Sequence, residues 1–74
     1  MLEQVKEVLV EALNLDAEEI TADAKLNDDL GIDSLAAVEL SLELESTFDI
    51  KIEDEELEAL ETVQDIINLV ESKK

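Results

Sequence analysis

Cysteine, histidine, tryptophan, tyrosine and proline are all absent from this 74-residue chain, and glycine and phenylalanine occur once each. Without cysteine there is no disulfide and no thiolate metal site, and an unstapled reduced fold suits the cytoplasm. Without histidine there is no imidazole base, and Phe48 alone offers no stacking surface. The lack of proline leaves Gly31 as the one residue that breaks helices. Positive charge is scarce too. Five lysines stand against twenty-two acids, for a formal charge of -17. That balance excludes nucleic acid and anionic membrane surfaces as ligands, because both demand a basic footprint. It favours basic protein surfaces as partners, found by long-range steering. No apolar run reaches membrane-spanning length, and the first residues form neither a signal peptide nor a transit segment.

What is present is helical. Leucine, glutamate, alanine and isoleucine dominate, and 46% hydrophobic content with clear periodicity marks a folded chain. The length fits one domain, residues 1–74, near the lower limit for a core without staples. Leu2, Val5, Val8, Leu9 and Ala12 predict an amphipathic helix over residues 2–14, with Asn14 as its stop. From Leu15 to Ile32 the pattern lapses. Leu15, Ile20, Ala24, Leu26 and Leu30 there predict a packed, ordered connection with a helical turn near Ala17.

A second helix is predicted from Ser34 to Phe48. At about 100° per residue, Ala37, Leu40, Leu44 and Phe48 share one face. Leu35, Val38 and Leu42 share another, with Glu39 and Glu43 on one side of it and Glu45 on the other. The first face is core. The second is expected to be part core, through Val38, and part an exposed docking patch rimmed with carboxylates. Phe48, Ile50 and Ile52 alternate but lack a strand to pair with, so an extended linker is expected. Residues 53–61 suit a short third helix anchored by Leu57, Ala59 and Leu60. Thr62 and Asp65 form a capping box with a shortened acid, and Val63, Ile66, Ile67 and Val70 follow at helical spacing. Lys73 and Lys74 suit the negative end of that last helix. Residues 33–61 hold eleven acids and one lysine, whereas residues 62–74 sum to zero. An excess that large opposes compaction, which points to recognition as its purpose.

The chain is organised around Asp28-Asp29-Leu30-Gly31-Ile32-Asp33-Ser34-Leu35. Gly31 predicts a sharp turn at positive φ, and Asp33 is a good N-cap for the second helix. Ser34 is then either a second capping residue or a hydroxyl presented to other proteins. A serine nucleophile would need a base, and Lys25 and Lys51 show no recognisable pairing with it. The stretch also fails the G-x-S-x-G elbow. Asp23 to Asp28 does not form a calcium loop, and no metal site is expected. Catalysis by this chain alone is not expected. A phosphate ester on Ser34 would meet the free N–H groups and the positive end of the helix dipole.

Leu30-Gly31-Ile32-Asp33-Ser34-Leu35, followed by Val38-Glu39-Leu40 and later Phe48-Asp49-Ile50, closely resembles the acyl carrier protein family, of the discrete type that serves fatty-acid synthesis. The resemblance covers essentially the whole chain. It implies an all-α, small four-helix bundle with a short third helix. It implies that Ser34 receives 4'-phosphopantetheine from coenzyme A through a phosphopantetheinyl transferase that contacts Asp33. The arm's thiol then carries acyl groups to fatty-acid synthesis enzymes with basic docking patches. Leu35, Glu39, Leu42, Glu43 and Glu45 are implied in partner binding. Val38, Leu44, Leu57, Leu60 and Ile66 are candidates for sheltering an acyl chain, besides being core. A cytoplasmic monomer is expected, and the first methionine and abrupt C-terminus favour a free-standing carrier. Ala36 stands where many fatty-acid carriers have Asp, and Glu53 where a proline is common, so a weaker start to the third helix is expected. Carriers of D-alanine, polyketide or aminoacyl units share the pattern. A non-carrier acidic decoy and a phosphoserine switch are the alternatives from other classes.

Overall fold

The computed structural model describes residues 2–73, so Met1 and the Lys74 expected near the last helix end lie outside the described residues. Among the described residues four α-helices follow in order: α1 Leu2–Leu13, α2 Ser34–Phe48, α3 Asp54–Glu58 and α4 Val63–Lys73. A single 3-10 turn at Ala17–Glu19 interrupts the long first connection. The bundle is the expected all-α one, with α1 packed chiefly on α2 and also on α4.

α1 turns Val5, Val8 and Leu9 into the core and stops at Leu13. Asn14 takes the left-handed conformation (φ 55°), which asparagine tolerates better than most residues. The connection then behaves as a packed segment. Ile20, Ala24, Leu26, Leu30 and Ile32 are all buried and Leu15 is half-buried. Its backbone is tied to the start of α4. The Val63 and Gln64 amides, which have no acceptor within their own helix, donate to the carbonyls of Ala24 (3.1 Å) and Ala22 (3.0 Å). The Leu26 amide donates back to the Glu61 carbonyl at 2.9 Å. Lys25 and Thr62 form an isolated antiparallel bridge between these bonds. The expected capping box completes the helix start. The Asp65 amide donates to Thr62 Oγ1 (3.3 Å), and Asp65 Oδ2 accepts from the Glu61 and Thr62 amides at 3.0 and 3.1 Å.

Three side chains depart from their expected places. Val38, expected to be part core, is 47% exposed and belongs to the surface patch. The core side of α2 is narrower, with Leu40 and Leu44 fully buried and Ser41 donating its hydroxyl to the Val38 carbonyl at 2.7 Å. Ala59 is exposed at the C-terminal cap of α3 instead of anchoring it, leaving Leu57 and Leu60 half-buried. Glu45 is half-buried, and its Oε2 accepts the Ile52 amide at 2.7 Å. It therefore clips the chain reversal after Asp49, itself left-handed at φ 56°. Phe48, Ile50 and Ile52 form no strand, and only Ile52 is buried.

α3 starts more firmly than the missing proline implies. Glu56 accepts the Glu53 amide at 3.0 Å and pairs with Lys73 Nζ at 2.7 Å. The Lys73 hydrogen bond, aided by the Glu53 amide, holds the Glu56 carboxyl below its ordinary range. A depressed carboxyl contributes stability above its unfolded-state pKa and loses it as pH falls through the folded one. Glu56→Gln should therefore melt lower than the parent at neutral pH. The gap should close as pH drops below the glutamate's ordinary 4.5. A gap unchanged down to strong acid would contradict the pairing.

Gly31 sits at φ 66°, and a Cβ there would meet nothing within 4 Å. The cost of Gly31→Ala is thus backbone strain alone, about 1–2 kcal/mol. That should lower the melting temperature by roughly 5–15 °C for a domain of this size, with Gly31→Asn losing less. An unchanged melt for Gly31→Ala would contradict the turn geometry.

Candidate functional site

The turn that leads into α2 is held almost entirely by its own polar groups. The Asp29 and Leu30 amides donate to the Lys25 carbonyl (2.9 and 3.1 Å), and Gly31 donates to the Asn27 carbonyl at 3.1 Å. The Ile32 amide donates to the Leu26 carbonyl at 2.8 Å. In return, Asp29 Oδ2 accepts the Lys25 amide (2.8 Å), and Asn27 Nδ2 donates to the Ile32 carbonyl at 3.2 Å. Leu30 and Ile32 pin this turn to the core. The chain then leaves it at Asp33, whose Oδ1 accepts the Ala36 amide at 2.9 Å.

Asp33 caps the helix, so the serine hydroxyl is not needed as a cap. Ser34 is the first residue of α2 and exposed. The other three serines are placed differently. Ser41 is buried, Ser72 donates to the Leu69 carbonyl at 2.8 Å, and Ser46 lies far along α2.

Beside Ser34 lies the patch. Leu35, Val38 and Leu42 are 71%, 47% and 60% exposed and are the large exposed hydrophobics of the described residues. Leu35 and Leu42 are two turns apart on one line of the helix, facing away from Leu40 and Leu44. Glu39 and Glu43 are exposed alongside them, while Ala36 is half-buried. Water-exposed apolar side chains gathered on one helix and rimmed by carboxylates mark an interaction surface.

On its other side Ser34 borders a cleft of about 790 Å³ between the first connection, α2 and α3. Val38, Leu57 and Leu60 line it, as do Lys25, Asp33 and Ser34. Leu44 and Ile66 are fully buried, in keeping with their expected core role, and lie outside the lining. α3 contributes no buried residue, so it forms a thin wall. The sequence pattern did not disclose Lys25 as a cleft residue, because its place depends on the bridge to Thr62. No helix of the described residues is long and apolar enough to cross a membrane.

Comparison with known proteins bears on what this serine and patch are for. The sequence model of the family described as "Phosphopantetheine attachment site" matches residues 3–70. An acyl carrier protein of Petrotoga mobilis is 47% identical over 73 residues, covering 99% of this chain and 86% of its own. One from Wolinella succinogenes is 45% identical over 74 residues, covering 100% of this chain and 97% of its own. A solved structure from Mycobacterium tuberculosis, assigned as an acyl carrier protein, matches with a TM-score of 0.87 at 37% identity. That match spans 95% of this chain and 93% of the other. Proteins of this kind are carriers and not enzymes. They work through a covalently attached 4'-phosphopantetheine and meet a phosphopantetheinyl transferase and synthesis enzymes. Matched along nearly its whole length in sequence and in the arrangement of its helices, the chain belongs to the acyl carrier protein family.

Proposed function

We propose that Ser34 is the attachment site of the 4'-phosphopantetheine and that the chain, as a single carrier domain in the cytoplasm, delivers acyl groups to fatty-acid synthesis enzymes. The observation that supports this most is an exposed serine hydroxyl, relieved of capping by Asp33, at the junction of an apolar patch and a cleft. The group fits there. Ser34 is exposed, and the first turn of a fifteen-residue helix presents N–H groups and a positive dipole end to a phosphate.

On loading, Ser34 Oγ bonds to the phosphorus that coenzyme A supplies, and the nucleotide half of the coenzyme leaves. The hydroxyl proton goes to a base on the transferase, since this chain has no histidine. Once bound, the group supplies a thiol that holds acyl chains as thioesters. The remaining roles fall to side chains. Asp33 flanks the hydroxyl where the transferase makes contact. Leu35 and Leu42 bury against the partner, and Glu39 and Glu43 meet its basic residues and quicken the encounter. Val38, Leu57 and Leu60 shelter the near part of an acyl chain, with Leu44 and Ile66 behind them if the core parts. The acidity of α2 supports fatty-acid enzymes as the partners.

Intact mass after incubation with coenzyme A and a phosphopantetheinyl transferase tests the assignment. The parent should gain one phosphopantetheine, and Ser34→Ala should gain none while melting normally. Loading of the alanine variant would overturn the assignment. A parent that gains nothing would favour the acidic decoy, and one that arrives bearing only a phosphate would favour the switch.

A further inference from the structure

The cleft beside Ser34 carries an unusual charge arrangement. Its ionisable lining comprises the carboxylates of Asp28, Asp33, Asp54, Glu58 and Glu61 and a single cation, Lys25. A phosphodiester on Ser34 keeps one negative charge near neutral pH. It is repelled by all five carboxylates and attracted by one side chain. The other described lysines cannot substitute, since Lys6 is on α1, Lys51 follows α2 and Lys73 is paired with Glu56. That pair is the one ion pair among the described residues, so no carboxylate there holds the Lys25 ammonium.

The backbone of Lys25 is also unusually well fixed for a loop residue. Its amide donates to Asp29 Oδ2 at 2.8 Å, and its carbonyl accepts from Asp29 and Leu30. Its bridge to Thr62 ties it to the far wall of the cleft. The exposed side chain therefore starts from a set position, and only its own rotamers must be ordered to meet an anion.

We propose that Lys25 receives the phosphodiester of the Ser34-linked arm and turns the arm into the cleft, toward Leu57 and Leu60, instead of out over Leu35 and Leu42. This rests on Ser34 as the attachment site. Loading of Ser34 is common to both directions, so Lys25 is a positioning residue that biases where the arm lies. An exposed ion pair shifts such a population by roughly 1.5-fold to 5-fold, and salt weakens it.

The test compares the parent, Lys25→Gln and Lys25→Arg, each loaded from coenzyme A by the transferase and verified by mass. Amide proton–nitrogen spectra of apo and loaded forms then report which residues feel the arm. In the parent and in Lys25→Arg, loading should move the amides of Leu57, Leu60 and Thr62 as well as those of residues 34–36. In Lys25→Gln the cleft shifts should fall by roughly 1.5-fold to 5-fold while those at 34–36 persist. High salt should move the parent toward Lys25→Gln without any substitution. Equal cleft shifts in all three proteins, indifferent to salt, would overturn the role of Lys25 and leave Ser34 standing. Failure of the parent to load would overturn the Ser34 assignment and this inference with it.

Discussion

The first two amides of α4 have no acceptor inside their own helix, and the long first connection supplies the missing carbonyls from Ala22 and Ala24. A buried donor left unpaired costs about 1–3 kcal/mol, so α4 and the connection each stabilise the other's position. The Leu26 amide returns a bond to Glu61, and the turn through Lys25, Asp29 and Gly31 closes next to it. Ser34 begins α2 immediately after that turn. The placement of its hydroxyl is thus inherited from hydrogen bonds made at the opposite end of the chain. Without them the connection would be a loop of eighteen residues, 15–32, that is too long to stay ordered by local bonds alone.

The bundle is held by burial and opposed by charge. Leu9, Leu40, Leu44 and Ile66 are fully buried, and truncating one such side chain to alanine typically costs about 2–5 kcal/mol. Against this stands a charge of -17, relieved among the described residues by one ion pair, at α3. The acids are densest on α3, where four of five residues are acidic and none is buried. With no buried residue, α3 has little packing to hold it against local opening.

Much of this was legible in the sequence, because local rules governed it. Periodicity located α1, α2 and α4, and Gly31, Asp33 and the pair Thr62 and Asp65 carried their turn and capping chemistry on their faces. The place of Ser34 as the first residue of α2 was legible for the same reason. What escaped was set by tertiary neighbours. Val38 lies at the margin between the two faces of α2, and its angle alone does not reveal that no helix covers it. Glu45 has the look of a surface acid until the reversal after Asp49 brings the Ile52 amide to it. Glu56 and Lys73 are far apart in sequence and meet only because the fold brings α3 to the C-terminal residue of α4. Leu44 and Ile66 differ from Leu57 and Leu60 in depth, which apolar spacing does not report.

The central claim is that this fold exists to hold one serine hydroxyl clear of its own structure so that enzymes can load it. Peptide mapping by mass spectrometry of the protein purified from its natural source addresses that most directly. The account predicts a phosphopantetheine, with or without an acyl group, on the fragment containing Ser34 and on no other. A natural protein without the arm, or with it on Ser41, Ser46 or Ser72, would contradict it.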